Sequence, residues 1–420
     1  MPTRAQLPAV PRLTYLRIKN YRALRDVEFR DLTPLTVLIG PNGSGKSTVL
    51  DALDFLADAM ALDLKSAWGK RNRFAGIRTR GIEGPISFEI VVAANEKHLR
   101  YTIEISEGTQ KEPSKVFISY EKFEVLVPNP CVVFECMYKG DEREHAGVQV
   151  PYLLPNGRSG TVVGEEDFGI VGNSLRGPLD LGSSNDAQLK TLAHAVWALT
   201  DTYRYIHLTD EHLKGHSDEG PREELSPNGN NLPNVLYYLH TKHPETLEKI
   251  TAQMRRWVPG LADIVTEITS DERLLLRFRD APFEKPLPAQ YMSAGTMRLA
   301  ALLTLLYEPG ATGLLGIEEP ENELHPRLLP RLAEELGKAT ETRQLLVATH
   351  SPLLLDALEP EQVWILDRGP DGYTQATRTA DIPHVKQMVE DGSPLGYLWT
   401  SNFFSVGDPL APRKAASDAR

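Results

Sequence analysis

A glycine-rich loop between an apolar run and an amphipathic segment constrains this chain of 420 residues more than any other feature. The run LTVLIG at 35–40 has the pattern of a strand buried on both faces, and VLDALDFLADAMAL at 49–62 has apolar residues at helical spacing. Between them, GPNGSGKS matches G-x-x-x-x-G-K-[ST] at every fixed position. This order of strand, loop and helix predicts an α/β fold with a phosphate-binding loop.

The loop also predicts individual contacts to a nucleoside triphosphate. Its glycines let successive backbone N–H groups point at phosphate oxygens, and the positive end of the following helix faces the same anion. Lys46 is expected to reach the β- and γ-phosphates, and the Ser47 hydroxyl is expected to bind magnesium. The predicted nucleotide-binding residues are Gly40, Pro41, Asn42, Gly43, Ser44, Gly45, Lys46, Ser47 and Thr48.

Two later segments carry groups suited to ATP hydrolysis. The apolar run GLLGI ends at the acidic pair Glu318 and Glu319 of EEPENELHP. Such a strand end places a metal-binding carboxylate and a base in P-loop ATPases, so Glu318 is predicted to bind magnesium and Glu319 to activate water. The run LLVAT then leads to His350, which resembles the switch histidine that contacts the γ-phosphate in such ATPases. The alternatives are a solvated acidic turn that caps the next helix and a strand-end histidine without a function.

A further candidate is the segment YMSAGTMRLAALLTLL at 291–306, which predicts a buried helix because it is apolar almost all round. Ser293 and Gly295 lie in a small-residue turn at its start, where an anion site and a simple helix cap both fit. Arg298 follows one turn later, where a phosphate contact is as compatible with the sequence as a place on the surface or at the edge of the core.

The motifs GPNGSGKST, MSAGT, EEPENELHP and VATHSP occur in the order of ABC-type ATPase heads, and the chain resembles their RecF, OLD and SMC-like branch. The resemblance implies a P-loop NTPase head with a bipartite parallel-sheet core, in which Lys46, Glu319 and His350 are catalytic. It also implies a homodimer that sandwiches ATP head to tail, with Ser293 and Gly295 facing the nucleotide of the partner. A glutamine near magnesium is expected between the lobes, and Gln188 is the candidate.

The remaining patterns predict how the two halves of this head are separated. Residues 1–184 are interpreted as lobe I with an inserted antiparallel β meander, because four β-type runs follow one another between residues 85 and 140. Residues 185–290 are interpreted as a helical lobe, 291–400 as lobe II and 401–420 as a flexible tail. The chain has no array of three heptads, which argues against SMC-type coiled-coil arms.

Charge and composition limit which partners the protein is expected to bind and where in the cell it is expected to be. The chain has 46 Lys and Arg against 57 Asp and Glu, a net charge of −11, which argues against coating nucleic acid by bulk charge. The segment LKSAWGKRNRFAGIRTR at 64–80 is an exception without acids, and a DNA-binding surface and a solvated loop fit it equally. The predicted DNA contacts are Lys70, Arg71, Arg73, Arg78 and Arg80. Without a long apolar run or a signal peptide, a cytoplasmic protein with no membrane partner is expected.

Together with the resemblance, these patterns predict a magnesium-dependent ATPase that works as a nucleotide-driven dimeric switch. It is expected to act on DNA or with a separately encoded effector such as a nuclease, in DNA repair or in defence against phage. The alternatives are an ATP-dependent scaffold whose hydrolysis is incidental and the energy subunit of a transporter.

Overall fold

The computed structural model describes residues 10–61, 64–71, 76–94, 96–107, 116–127, 130–137, 149–153, 157–163, 196, 202–214, 220–268, 274–408 and 410. Within these segments, two six-stranded sheets provide the framework of the molecule. Helix α1 (Lys46–Ala61) packs in a core that includes residues from both sheets.

The first sheet is antiparallel. Its strands, in spatial order, are β2 (Leu24–Arg30), β1 (Arg12–Tyr21), β4 (Ile86–Ala94), β5 (Lys97–Glu107), β6 (Val116–Val127) and β7 (Cys131–Met137). The predicted β meander is therefore confirmed. It continues the N-terminal hairpin, because β4 pairs with β1 even though α1 lies between them in the sequence. A separate hairpin pairs β8 (Gln149–Leu153) with β9 (Ser159–Val163).

The second sheet positions the phosphate-binding loop. Its strands, in spatial order, are β10 (Arg204–Ile206), β14 (Leu314–Glu318), β15 (Gln344–Thr349), β3 (Leu35–Ile39), β16 (Val363–Arg368) and β17 (Thr374–Arg378). The first five strands run parallel, and β17 pairs antiparallel to β16. All five residues of β3 are buried, as the apolar run predicts for a central strand. The predicted α/β class with a parallel core is confirmed.

Helices cover both faces of this parallel sheet. The other described α-helices are α2 (Leu64–Gly69), α3 (Asp210–Leu213), α4 (Leu232–Lys242), α5 (Pro244–Trp257), α6 (Ala294–Leu306), α7 (Leu329–Ala339), α8 (Pro352–Leu355), α9 (Pro383–Glu390) and α10 (Leu395–Thr400). Strand alternation explains the two faces, since Leu38 contributes to the core with α1, whereas Val37 and Ile39 contribute to the core with α6 and α7. None of the helices in the described segments is long and apolar enough to span a membrane.

The interpretation of 185–290 as a helical lobe is wrong in part. An antiparallel sheet of β11 (Leu261–Ile268), β12 (Leu274–Asp280) and β13 (Leu287–Pro288) lies in it. A shift in pairing between Leu261 and Asp263 leaves the buried residues Leu261 and Ile264 three positions apart, which imitates helical spacing. Strand β10 also lies in this range and extends the parallel sheet.

The predicted flexible tail begins too early. Residues 401–408 belong to the described structure, and Phe404 is buried with its ring centroid 5.8 Å from that of Trp399. Its apolar ring joins the core beside the sheet, because a buried aromatic side chain removes a large apolar area from water.

Candidate nucleotide site

The phosphate-binding loop joins the end of β3 to the start of α1. Ser44 N donates to Pro41 O at 3.2 Å and closes the turn. Gly43 and Gly45 have φ values of +75° and +110°, a region that side chains with a Cβ rarely adopt. Two of the predicted glycines therefore have a conformational reason to be glycine.

The hairpin of β16 and β17 donates two hydrogen bonds to main-chain carbonyls of the loop. Thr374 Oγ1 donates to Ser44 O at 2.7 Å, and Arg368 Nε donates to Gly43 O at 2.5 Å. A Cβ on Gly40 would lie 1.9 Å from Leu366 O, so only glycine permits this close approach. Sequence reasoning missed Arg368 and Thr374, because they follow the loop by more than 320 positions.

The loop has the properties of an anion site. The first intrahelical bond of α1 runs from Val49 N to Gly45 O at 3.0 Å, so the N–H groups ahead of it have no partner within the helix. The buried hydroxyl of Ser44 has no hydrogen-bond partner among the described residues. Lys46 Nζ donates to Gly40 O at 2.8 Å and to Pro41 O at 3.1 Å.

The charge on Lys46 is poorly solvated. Burial lowers the pKa of the Lys46 ammonium to about 8, although Glu319 and Glu318 nearby act in the opposite direction. An anion beside Lys46 would favour the charged form, and so the lysine and the helix N-terminus suit a phosphate group.

Ser47 and Glu318 meet at the end of β14, although 271 positions separate them in sequence. The Ser47 hydroxyl donates to Glu318 Oε1, and the Tyr205 hydroxyl donates to Glu318 Oε2. His207 Nδ1 lies 3.2 Å from the same Oε2. Burial, followed by the hydrogen bond to Glu318, raises the pKa of the Tyr205 phenol well above its usual value, so this hydroxyl remains a donor.

The oxygen atoms of Ser47 and Glu318 suit magnesium, a metal that takes only a few of its ligands from the protein. Mg²⁺ takes oxygen ligands and commonly uses one or two carboxylates together with phosphates and waters. Ser47 and Glu318 provide one hydroxyl and one carboxylate at the loop. Across the described segments, no group of three or more His, Cys, Asp or Glu is arranged to hold a metal ion. Gln188 lies outside the described residues.

Glu319 and His350 are also brought together. Their side chains approach to 3.5 Å between Glu319 Oε1 and His350 Nε2. Glu319 has a φ of +44°, and its N–H donates to Ala348 O at 2.8 Å. Its Oε2 accepts from Asn322 Nδ2 at 2.5 Å. Burial, and then the charge of Lys46, lower the pKa of His350 below its usual value, which favours a neutral imidazole.

Glu321 connects the acidic turn to the strand that ends at His350. Its Oε1 accepts from Thr349 Oγ1 at 2.5 Å and from His350 N at 2.9 Å. Its other oxygen, Oε2, is buried without a partner in the described part of the chain. The sequence analysis did not single out Glu321, although it is the third acid of EEPEN and lies two positions after the predicted base.

The small-residue turn is a helix cap and also a packing site. Ser293 is exposed, and its Oγ accepts from Thr296 N at 3.2 Å at the start of α6. A Cβ on Gly295 would lie 2.4 Å from Glu323 O, so this glycine lets the turn after β14 approach α6 closely. The helix itself is buried as predicted.

Arg71, one of the predicted DNA contacts, faces acids of its own chain. The guanidinium of Arg71 is buried and forms ion pairs with Asp51 at 3.0 Å, with Asp58 at 2.9 Å and with Asp54. These three acids lie along one side of α1, so they compensate the charge of Arg71 in three dimensions, although no acid lies within the basic segment in the sequence.

Some of the other predicted DNA contacts also form ion pairs with acids of the same chain. Lys70 pairs with Asp58 at 2.6 Å, and Arg78 lies 3.9 Å from Glu107. Arg80 is exposed, and Arg73 lies outside the described residues.

These features define a P-loop ATPase with an α/β core. The chain belongs to the family described as "AAA domain, putative AbiEii toxin, Type IV TA system", which matches residues 35–125 and 178–356. This membership confirms the family resemblance that the sequence motifs indicate. It also implies that the protein binds a nucleotide.

Two curated proteins are similar to the chain. The "Retron Ec83 probable ATPase" of Escherichia coli is 19% identical over 404 residues, which cover 85% of this chain and 72% of that protein. The OLD nuclease of Thermus scotoductus is 36% identical over 77 residues, which cover 18% of this chain and 14% of that protein.

Among solved structures, an Smc head bound to the C-winged helix domain of ScpA is similar, with a TM-score of 0.47 and 13% identity. The match covers 87% of this chain and 97% of that one. The Smc head domain of Pyrococcus furiosus with an extended coiled coil has a TM-score of 0.46 and 11% identity, with 90% and 100% of the two chains covered.

Proposed function

We propose that this protein is a magnesium-dependent ATPase that binds ATP between two copies of itself and uses hydrolysis to switch an effector. The observation that carries the proposal is the convergence of Lys46 and Ser47 with Glu318, Glu319 and His350. These residues come from three separate segments, and adjacent strands of one parallel sheet bring them to one edge.

Each of these residues has a role in binding or proton transfer. Lys46 and the N–H groups at the start of α1 bind the phosphates and compensate their charge. Glu319 would orient a water and accept its proton, while His350 would contact the γ-phosphate. Ser47 and Glu318 hold magnesium, which neutralises developing phosphate charge when it is bound.

The dimer is supported by the position of the Ser293 turn. Ser293 is exposed at the N-terminus of a buried helix, where hydroxyl and backbone donors suit the phosphates of a second copy. Because Gly295 has no side chain, this turn lies close to the carbonyl of Glu323, which is near the catalytic Glu319 in sequence. Binding across the dimer can thus affect the residue that activates water.

The proposed effector is a separate protein such as a nuclease, and the setting is defence against phage or DNA repair. The name of the OLD nuclease supports a nuclease as the effector, and the name of the retron ATPase supports the ATPase activity. If the protein binds DNA directly, the exposed residues Arg80 and Lys70 are the remaining candidates, because the Arg71 guanidinium is paired with acids.

The test compares ATP turnover and oligomeric state in the wild type and in Glu319→Gln. The variant should bind ATP, lose turnover by about 10²- to 10⁴-fold and accumulate as an ATP-bound dimer in size-exclusion chromatography, because only the base is removed. Glu334→Gln, on the exposed side of α7, is the control and should behave as the wild type. Unchanged turnover in Glu319→Gln would contradict the assigned role.

The same assay separates the scaffold alternative from the switch. Turnover that rises with DNA or with the effector supports a switch. Negligible turnover in the wild type, with stable ATP-dependent oligomers, supports a scaffold in which hydrolysis is incidental.

A further inference from the structure

Strand β10 and the residues on either side of it place three polar aromatic side chains on one face. Residues alternate between faces along a strand, so Tyr203, Tyr205 and His207 point to the side of the sheet that carries α1. Tyr203 lies in the core with α1, while Ile206 lies in the core on the opposite face. The alternation therefore directs Tyr205 and His207 toward the nucleotide site.

The register of β10 against β14 brings these side chains to Glu318. Tyr205 is paired with Gly316, and Ile206 with Ile317. A Cβ on Gly316 would lie 2.2 Å from the Tyr203 hydroxyl, so glycine at this position leaves room for Tyr203 beside β14. Two residues beyond Gly316, the carboxylate of Glu318 accepts the hydrogen bond from Tyr205.

We propose that Tyr205, assisted by His207, is a positioning residue that holds the Glu318 carboxylate in the orientation required to bind magnesium. This inference rests on the proposed function. The two oxygens of Glu318 have separate partners: Oε1 accepts from Ser47, whereas Oε2 accepts from Tyr205 and lies 3.2 Å from His207. The oxygen on the side of the phosphate-binding loop is thereby directed to the metal.

The length of glutamate explains why such support is needed. Glutamate has one more rotatable bond than aspartate, and a long side chain loses more conformational entropy when it is fixed. A tyrosine whose ring is partly buried on a strand provides a fixed donor. Partners of this kind, which bind a metal ligand through its second oxygen, typically change metal affinity by about 10- to 100-fold when they are removed.

The experiment measures metal binding directly. Mn²⁺ is titrated into the full chain with a non-hydrolysable ATP analogue, and free Mn²⁺ is followed by electron paramagnetic resonance. Tyr205→Phe should weaken Mn²⁺ binding by about tenfold. Its affinity for the analogue in the presence of a chelator should stay within twofold of the wild type, because the phosphate contacts are unchanged.

The matched control is Tyr203→Phe. It removes a tyrosine hydroxyl from the residue just before β10, on the same face as Tyr205, but this hydroxyl donates to Leu50 O at 3.0 Å and does not contact Glu318. It should change thermal stability and leave Mn²⁺ affinity at the wild-type value. His207→Ala is the second test, since His207 is exposed and its loss should weaken Mn²⁺ binding without affecting folding.

The outcomes distinguish the inference from the function on which it rests. A wild type that binds no nucleotide overturns both. Nucleotide binding and turnover in the wild type, with normal Mn²⁺ affinity in Tyr205→Phe and His207→Ala, overturn the positioning role alone. An equal loss of Mn²⁺ affinity in Tyr203→Phe also overturns it, because a general disturbance of β10 would then be responsible. If Tyr205→Phe does not fold, the Mn²⁺ affinity of His207→Ala decides.

Discussion

Arg298 donates a hydrogen bond to the main-chain carbonyl of Glu319 at 2.5 Å and a second one to the carbonyl of Leu208 at 2.9 Å. This buried guanidinium joins helix α6 to the turn that carries the catalytic candidate and to the segment after β10. Of the positions compatible with the sequence, Arg298 occupies the one in the core. The bond to Glu319 matters because a non-glycine residue with positive φ must be held in place by its surroundings.

Replacing Arg298 with lysine should lower turnover more than nucleotide affinity. A single ammonium cannot replace the two nitrogens that contact Glu319 and Leu208, so one buried carbonyl loses its donor at a cost of about 1–3 kcal/mol in the free energy of unfolding. ATP turnover, ATP affinity and urea denaturation check this, with Arg331→Lys on the exposed side of α7 as the control. Equal losses of turnover and affinity would indicate that Arg298 supports the phosphate-binding loop instead.

Lys46→Ala should weaken ATP binding by about 10- to 100-fold, the range expected from loss of hydrogen bonds between charged partners. Its ammonium is the buried cation of the loop, and it lies against the carbonyls of Gly40 and Pro41. Equilibrium binding of a fluorescent ATP analogue measures the effect. Lys249→Ala, at an exposed position on α5, should bind as the wild type, and wild-type binding by Lys46→Ala would refute the loop assignment.

Gly295→Ala should impair both folding and hydrolysis. The added methyl group would lie 2.4 Å from Glu323 O, a contact with backbone that cannot be relieved by rotating a side chain. Overpacking of this kind costs about 1–3 kcal/mol in the free energy of unfolding and should displace the turn near Glu319. Denaturation and turnover are the measurements.

Gly337→Ala is the matched control for this substitution. Gly337 lies in α7 with nothing within 4 Å of the added Cβ, so the variant should gain about 0.5–1 kcal/mol in stability and keep its turnover. A stability loss in both variants would mean that the contact with Glu323 is not responsible.

Arg71→Ala should destabilise the protein by about 1–3 kcal/mol, because three partly buried carboxylates lose a shared charged donor. Its side chain is 6% exposed and pairs with three acids of α1. Arg80→Ala should stay within about 0.5 kcal/mol of the wild type, because the side chain is exposed. Denaturation compares the two, and a small effect at Arg71 would restore it as a candidate for DNA contact.

The local features of this protein were readable from the sequence. A strand, a phosphate-binding loop and a helix are contiguous, and glycines at positive φ have a cause within the loop itself. The acidic pair and His350 also follow directly after apolar strands, and parallel strands place their carboxyl ends at one edge. Segments whose structure depends on near neighbours were therefore predicted correctly. Strand β10 was instead included in a predicted helical lobe, because its partner β14 is distant in sequence, with Arg204 paired to Leu315.

By itself, the sequence determined the class of fold and the residues that adjoin the phosphate-binding loop in the chain. Only the tertiary structure decided which distant residues complete the site: Tyr205 and His207 on Glu318, Arg368 and Thr374 behind the loop, and Arg298 on Glu319. It also decided that Arg71 faces acids instead of solvent. The physical reason is that strand order and register, set by burial across the whole core, create contacts that no local spacing encodes.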